Sequence, residues 1–135
     1  MTGFNFNKIN SKEKFNAGVW VAVKLDGEPI GAEFKVQSRF SDLGEKLKQA
    51  ATRELARNFK KEGKYVPPDP ADADKDRRDY IVALTTDWRG PALEDADGKV
   101  PPFTAAAMDA LLAREKWIIP QLDDAIADET RFLKA

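Results

Sequence analysis

The stretch Val19-Trp20-Val21-Ala22-Val23-Lys24-Leu25-Asp26-Gly27, continued to Phe40, decides the fold class of this chain. Apolar side chains alternate with polar or small ones on both sides of the turn, at Val19, Val21, Val23 and Leu25 and then at Ile30, Ala32, Phe34, Val36 and Phe40. Two alternating runs around Asp-Gly predict a β-hairpin over residues 18–40. Pro29 and Gly31 indicate an irregular start of the second strand. Because a lone hairpin is marginal in water, it must pack on helices or pair its free edge with another chain.

The residues after the hairpin predict a long amphipathic helix over 41–63. Ser41 is a favourable N-cap, and Gly63 suits the position after the last turn. Apolar side chains at steps of three and four lie on one face, at Leu43, Leu47, Ala50, Ala51, Leu55 and Phe59. The pattern leaves open whether this face packs within one subunit or between subunits.

Residues 1–17, before the hairpin, indicate an N-terminal arm. Its apolar side chains are too sparse for a helical stripe, and its asparagines favour turns. Two interpretations remain open: the phenylalanines pin the arm onto the body, or the arm reaches a neighbouring subunit.

The second half of the chain predicts further helices. Residues 64–75 indicate a linker, because Pro67-Pro68-Asp69-Pro70 blocks a helix. A helix is expected over 76–89, ending at Gly90-Pro91, with one apolar face formed by Ile81, Leu84, Thr85 and Trp88. A turn-rich loop, 91–103, leads to a helix over 104–114. Thr104 is its expected N-cap, and Phe103 and Met108 have the spacing of a hydrophobic staple. Pro120 opens a last helix whose stripe is Leu122, Ile126 and Phe132 or Leu133.

These elements predict an α+β fold that is mostly α-helical, with about four helices and an N-terminal β-hairpin. The chain has 135 residues, which is one domain by length, and its apolar content supports a core. We therefore expect a single domain, 1–135, whose C-terminal half, 76–135, is helical.

The composition argues against most catalytic chemistries. The chain contains no Cys and no His, so it has no thiolate, no imidazole and no usual zinc ligands. We expect no enzyme, no cofactor and no metal. The net charge of -1 argues against a nucleic-acid partner. The N-terminus has no signal-peptide pattern and no run long enough for a membrane span, so we expect a cytoplasmic protein with no membrane partner.

Two acidic clusters are the remaining candidates for a carboxylate-based enzyme or a hard-metal site. They are Asp69 to Asp76 and Asp95 to Asp97. Neither has the glycine and the closing glutamate of an EF-hand in register, so we interpret the first as leading into a helix and the second as a surface turn.

The order of motifs through residues 78–133 resembles the tail assembly chaperones of long-tailed (siphovirus-type) bacteriophages and prophages. The motifs are Tyr80 to Trp88-Arg89-Gly90, Asp95 to Gly98, Pro102-Phe103-Thr104, Leu111-Leu112 and Trp117 to Phe132. The strand pair around Trp20 to Val36 is similar to the opening of such chains, whereas the Pro-rich acidic stretch 67–76 departs from their pattern.

The resemblance implies an assembly factor that acts in the host cell cytoplasm. It would bind the long helical tape measure protein, keep it soluble and help recruit tail tube protein subunits. Weak self-association through the hairpin edge or the arm is also expected. The alternative is a minor virion structural protein, either a head–tail connector or a minor tail component.

Five side chains are the candidate partner contacts under this interpretation: Trp20, Trp88, Arg89, Phe103 and Trp117. Aromatic residues at such spacings are more often core residues, so each of these also has a plain packing interpretation. Arg89 is expected at a helix end, where it could instead satisfy the last carbonyl groups.

Overall fold

The structure is a computed structural model, which describes residues 5–65 and 69–135. The chain is α+β. In chain order, the elements of the described residues are α1 Ser11–Ala17, β1 Val19–Leu25, β2 Glu28–Val36, α2 Asp42–Glu62, α3 Pro70–Leu84, β3 Thr85–Arg89, α4 Ala105–Arg114, α5 Ile119–Ile126 and α6 Glu129–Leu133. Short 3-10 turns at Pro91–Leu93 and Lys116–Ile118 precede α4 and α5.

The predicted hairpin is the first part of a three-stranded antiparallel sheet with the order β1-β2-β3. Asp26 and Gly27 both have positive φ, as a type I′ turn requires, because that turn matches the twist of the paired strands. A register shift between Ala22 and Lys24 puts extra residues on β2, and Gly31 in that bulge has φ of 86°. The irregular start expected at Pro29 and Gly31 is therefore present.

The prediction of a helix over 76–89 is wrong in its last turn. The helix α3 ends at Leu84, where the Thr85 hydroxyl donates to the Ile81 carbonyl and the Thr85 backbone becomes extended. Residues Thr85–Arg89 then pair with β2 as β3. The strand that pairs with β3 is β2, which lies far away along the chain. The spacing of apolar residues within 76–89 therefore contains no information about this pairing. As a result β2 is the central strand, and β1 is one outer strand.

Three further boundaries differ from the predictions. The arm 1–17 contains α1, whose N-cap Asn10 accepts from the Glu13 amide; residues 1–4 lie outside the described part. The linker 64–75 is shorter than expected, since Asp69 caps α3 and Pro70 begins it. The last helix breaks near Asp128 into α5 and α6, so the described residues contain six α-helices instead of about four.

The core lies between one face of the sheet and the helices α3, α4 and α5. Its buried apolar side chains include Val21, Val23, Phe34, Val36, Ile81, Leu84, Trp88, Met108, Leu112, Leu122, Ile126 and Phe132. Of the two candidates for the last stripe position, Phe132 is fully buried and Leu133 is not. Phe15 of α1 contacts the Phe132 ring at a centroid distance of 6.2 Å, which fixes the N-terminal segment on the body.

Candidate protein-binding surface

Within residues 5–65 and 69–135, the buried contacts of the helix α2 lie in its first turns. Ser41 caps it by accepting from the Gly44 amide, as predicted, and Gly63 ends it in the left-handed conformation. Gly44 is buried against the Ser38–Arg39 backbone, where a side chain would collide with the Arg39 carbonyl. Leu47 is partly buried against the core. The start of α2 is therefore fixed by caps and close backbone packing.

Beyond Leu47, the same helix leaves the body. Every residue from Lys48 to Glu62 is exposed, including Leu55 at 51% and Phe59 at 56%. The first turns of α3, residues 70–77, are exposed as well. We call these two segments together, 48–62 of α2 and 70–77 of α3, the projection. The apolar stripe predicted for the helix 41–63 continues through this part of α2. Among the described residues, no other element covers it.

A groove runs along the projection between α2 and α3. Its inner part, beside the body, has a volume of about 510 Å³. The residues that line it include Phe40, Leu47, Ala51 and Tyr80. Its outer part has a volume of about 930 Å³ and begins at the same Ala51. Ala51 lines both parts, so they lie next to each other along α2.

Tyr80 lies at the inner end of the groove and presents a neutral hydroxyl. Burial raises the pKa of this hydroxyl above its ordinary value, and the negative charge of Asp123 adds to the effect, which Arg39 opposes in part. A tyrosine whose pKa is raised stays protonated near neutral pH. It can therefore donate a hydrogen bond to a bound segment, and it is a poor general base.

The outer part of the groove is lined by charged side chains from both sides. On the α2 side these are two acidic and two basic residues, Glu54, Lys61, Glu62 and Lys64. On the α3 side they are three acidic residues and one basic residue, Asp69, Asp72, Asp76 and Lys75. Among the described residues, no ion pair joins the two helices. The groove is therefore open, and its α3 side is acidic.

The side chains predicted as partner contacts lie in three separate places. Trp88 is a core residue with 8% exposure, between the Phe34 and Phe103 rings at centroid distances of 6.5 and 5.5 Å. Its Nε1 donates to the Pro101 carbonyl at 2.8 Å. Phe103 packs partly buried against the core. These two aromatics therefore hold the loop 91–103 on the sheet and leave little surface for a partner.

Trp20 and Arg89 meet on the outer face of the sheet. The Arg89 guanidinium lies 3.9 Å from the centroid of the Trp20 ring, and its Nη2 is 3.0 Å from the Glu33 carboxylate. Arg89 is paired directly with Glu33 in the register of β2 and β3. The expectation that Arg89 lies at a helix end is thus wrong, because it belongs to a strand. It combines a cation–π contact with a cross-strand ion pair.

Replacing Arg89 with Glu is expected to lower the free energy of unfolding by about 1 kcal/mol. The change puts two carboxylates opposite each other and removes the cation from the Trp20 ring. Urea denaturation followed by tryptophan fluorescence measures the loss. The exchanged pair, Glu33→Arg with Arg89→Glu, should recover the part of the loss that comes from the ion pair. Equal losses in the Arg89→Glu variant and the exchanged pair would show that the Arg89–Glu33 pair contributes nothing.

Trp117 lies apart from the other four candidates. It is 41% exposed, and its Nε1 donates to the Glu115 carboxylate at 2.8 Å. Its exposed ring leaves it available to a partner, but it does not adjoin the lining of the groove.

The outer edge of β1 is partly closed by a side chain of α5. Gln121 of α5 accepts from the Lys24 amide at 2.8 Å and donates to the Lys24 carbonyl at 2.9 Å. Its amide group takes the place of a neighbouring strand at this position. Self-association through the hairpin edge, as expected from the sequence, would be limited to the other end of β1.

The two acidic clusters are accounted for by local hydrogen bonds and solvent exposure. Asp95 accepts from the amides of Asp97 and Lys99, as a surface turn does, and Asp69 caps α3. Within residues 5–65 and 69–135, no three acidic side chains are grouped so that they could hold a metal ion. The interpretation of both clusters as turn and cap residues agrees with these contacts.

The residues of the projection were not among the candidate contacts predicted from the sequence. The sequence predicted that Leu55 and Phe59 lie on the apolar face of the helix. Periodicity does not tell whether another element covers that face. The signal that the sequence did offer is the density of charged side chains in 53–64 and 69–76, which indicates that both segments face solvent.

Comparison of the chain with protein-family models, curated protein sequences and solved structures finds no match. No helix within the described part is both long enough and apolar enough to cross a bilayer.

Proposed function

We propose that this protein is a non-enzymatic binding protein that covers apolar helical segments of a partner, and that it acts as a tail assembly chaperone of a long-tailed phage. Its partner would be the tape measure protein, which it would keep soluble in the host cell cytoplasm while tail tube protein subunits are recruited. The proposal combines the resemblance of residues 78–133 to that family with the exposed groove of the projection.

The observation that carries the proposal is the exposed stripe from Lys48 to Glu62. Single exposed leucines are common, but an uncovered apolar stripe through Ala51, Leu55 and Phe59 beside a groove indicates a binding surface. An amphipathic helix binds such a groove by burying its own apolar side chains at steps of three and four. A long helical protein with apolar stripes would aggregate when alone, so a small protein that covers these stripes in many copies would keep it dispersed.

The experiment that tests the function is co-expression with the tape measure protein encoded in the same tail gene cluster. The expected result is that the partner moves from the insoluble to the soluble fraction and copurifies with several copies of this chain. A partner that stays insoluble and fails to copurify contradicts the chaperone function. Mass spectrometry of purified particles tests the alternative, because a minor virion structural protein would be retained and a chaperone would be absent.

Replacing Leu55 and Phe59 with Ser is expected to weaken binding of the helical partner at least about tenfold, since two apolar anchors are lost. The free energy of unfolding should change by less than about 0.5 kcal/mol, because both side chains are exposed. The copurified amount and a titration with partner fragments measure the loss. Leu25→Ser is the matched control, as this leucine is equally exposed but lies at the hairpin turn. Binding that survives the double change would remove the groove from the proposal.

A further inference from the structure

The charged side chains of the outer groove do not balance one another. Five acidic side chains line it against three basic ones, so the formal charge of the lining is negative. One of the basic side chains, Lys75, is held by Asp79 of its own helix at 3.2 Å. In the part of the chain that the structure describes, none of the five acidic side chains takes part in an ion pair. The outer groove therefore has an acidic excess.

The two helix ends beside the outer groove do not remove this excess. The N-terminus of α3 carries about half a positive charge, and the C-terminus of α2 carries about half a negative charge. Both ends contribute to the same lining, through Glu62 and Lys64 on one side and Asp69 on the other, so their effects oppose each other. The excess comes from the side chains, and Asp72 and Asp76 are one turn apart on the side of α3 that lines the groove.

The inner groove differs from the outer one in its charge. Phe40, Leu47 and Ala51 give it an apolar lining. Its charged side chains are two basic ones and one acidic one, Arg39, Lys48 and Glu45. Since Arg39 also faces Glu129 at 3.9 Å, the inner groove has almost no net charge. The groove as a whole is therefore apolar at its inner end and acidic at its outer end.

We infer that the helix bound by this groove has one particular charge pattern. It carries a large apolar side chain that fills the inner part, and lysines or arginines two to three turns away on the edge that faces α3. Leu47 and Asn58 line the two parts and are roughly 16 Å apart along α2, which sets this spacing. The inference rests on the proposed function and specifies the side chains of the partner.

Both features of such a helix have a counterpart in the groove. Its apolar side chains can cover the exposed stripe through Ala51 and Leu55, while its basic side chains reach Asp72 and Asp76. Pairs between exposed charges contribute more to the choice of partner and to the rate of association than to affinity. A helix with acidic side chains at the same positions is repelled, so the acidic excess selects among helices that have equal apolar stripes.

Titration of the full chain with synthetic helical peptides, followed by calorimetry, tests the inference. Three peptides of about 15 residues share one apolar stripe. They differ only at three flanking positions in one half, which hold lysine, glutamine or glutamate. The lysine peptide should bind about tenfold more tightly than the glutamate peptide, with the glutamine peptide between them. The difference should shrink as salt is raised, because the charges are screened. Equal affinities of the three peptides, or no binding at about millimolar concentration, overturn the inference.

Charge reversal in the protein tests which side chains select the peptide. Asp72→Lys with Asp76→Lys should reverse the order, so that the glutamate peptide binds more tightly than the lysine peptide. A gain of affinity for the glutamate peptide cannot result from a loss of folding. If this variant does not fold by circular dichroism, Asp72→Asn with Asp76→Asn must still reduce the preference to less than about threefold. A lysine preference that persists in the folded variants excludes the α3 side of the groove.

The matched control is Glu28→Gln with Asp97→Asn. It changes the net charge by as much as the Asp72→Asn, Asp76→Asn variant does, at exposed positions outside the lining of the groove. The control should keep the full preference for the lysine peptide. If it loses the preference to the same extent, the net charge of the protein and not the groove selects the peptide, and the inference is wrong.

A second copy of the chain is the competing occupant, and sedimentation equilibrium without peptide detects it. A dimer that the lysine peptide does not dissociate would assign the groove to the second copy. Co-expression with the tape measure protein remains a separate test. If the unmodified chain and the Asp72→Lys, Asp76→Lys variant solubilise that protein equally, the chaperone function holds and the charge preference is excluded. If that protein stays insoluble while the lysine peptide binds as expected, the charge preference holds and the chaperone function fails.

Discussion

Replacing Trp88 with Ala is expected to lower the free energy of unfolding by about 3–5 kcal/mol. The substitution removes an aromatic side chain with 8% exposure that contacts both the Phe34 and Phe103 rings. It also leaves the Pro101 carbonyl without the donor that holds the loop to the sheet. Urea denaturation followed by circular dichroism measures the loss, because Trp88 itself would no longer report by fluorescence.

Trp88→Phe is the matched variant. It keeps a ring between Phe34 and Phe103 but removes the indole N–H, so a smaller loss of about 1–2 kcal/mol is expected. The difference between the two variants separates packing from the hydrogen bond. If Trp88→Ala costs less than about 1 kcal/mol, Trp88 is not the core residue of the sheet that its burial indicates.

Replacing Gly90 with Ala is expected to cost about 3 kcal/mol or more. Gly90 has φ of 122° and ψ of 156°, a backbone conformation that is open only to glycine. A Cβ at this position would overlap the carbonyl oxygen of Gly31 in the bulge of β2. The added methyl group therefore pushes the end of β3 away from β2, and thermal or urea denaturation measures the effect.

Gly98→Ala is the control for backbone conformation without a steric clash. Gly98 also has positive φ, 75°, but an added Cβ there would meet no atom within 4 Å. A loss of about 1 kcal/mol is expected, as for an alanine in the left-handed region. If the two glycines respond equally, the contact between Gly90 and Gly31 does not control the stability of the sheet.

The parts of the fold that local chemistry determines could be predicted from the sequence. The turn at Asp26-Gly27, the cap at Ser41 and the end at Gly63 each depend on neighbouring residues, and each lies where it was predicted. The same holds for Thr104, which caps α4 by accepting from the Ala107 amide. Such signals act within a few residues, so a single sequence contains all the information they require.

The strand β3 could not be predicted in this way. Leu84, Thr85 and Trp88 have a spacing that suits a helix, and the choice of a strand depends on the exposed edge of β2. The groove was missed for a related reason. Periodicity identifies the apolar face of α2 but does not reveal that the core ends at Leu47 and that no element of the described chain covers Leu55.

The late position of β3 affects how the chain folds as it leaves the ribosome. Arg89 and Glu33 are neighbours in the sheet but lie 56 positions apart in the chain. At about 5–20 residues per second, the third strand is synthesised roughly 3–11 seconds after its partner. During that interval the nascent hairpin presents Phe34 and an unpaired strand edge to other nascent chains, and cooling or slowing the ribosome lengthens the exposure. We therefore expect the yield of native protein to depend on translation speed between residues 36 and 89, even when the finished fold is unchanged.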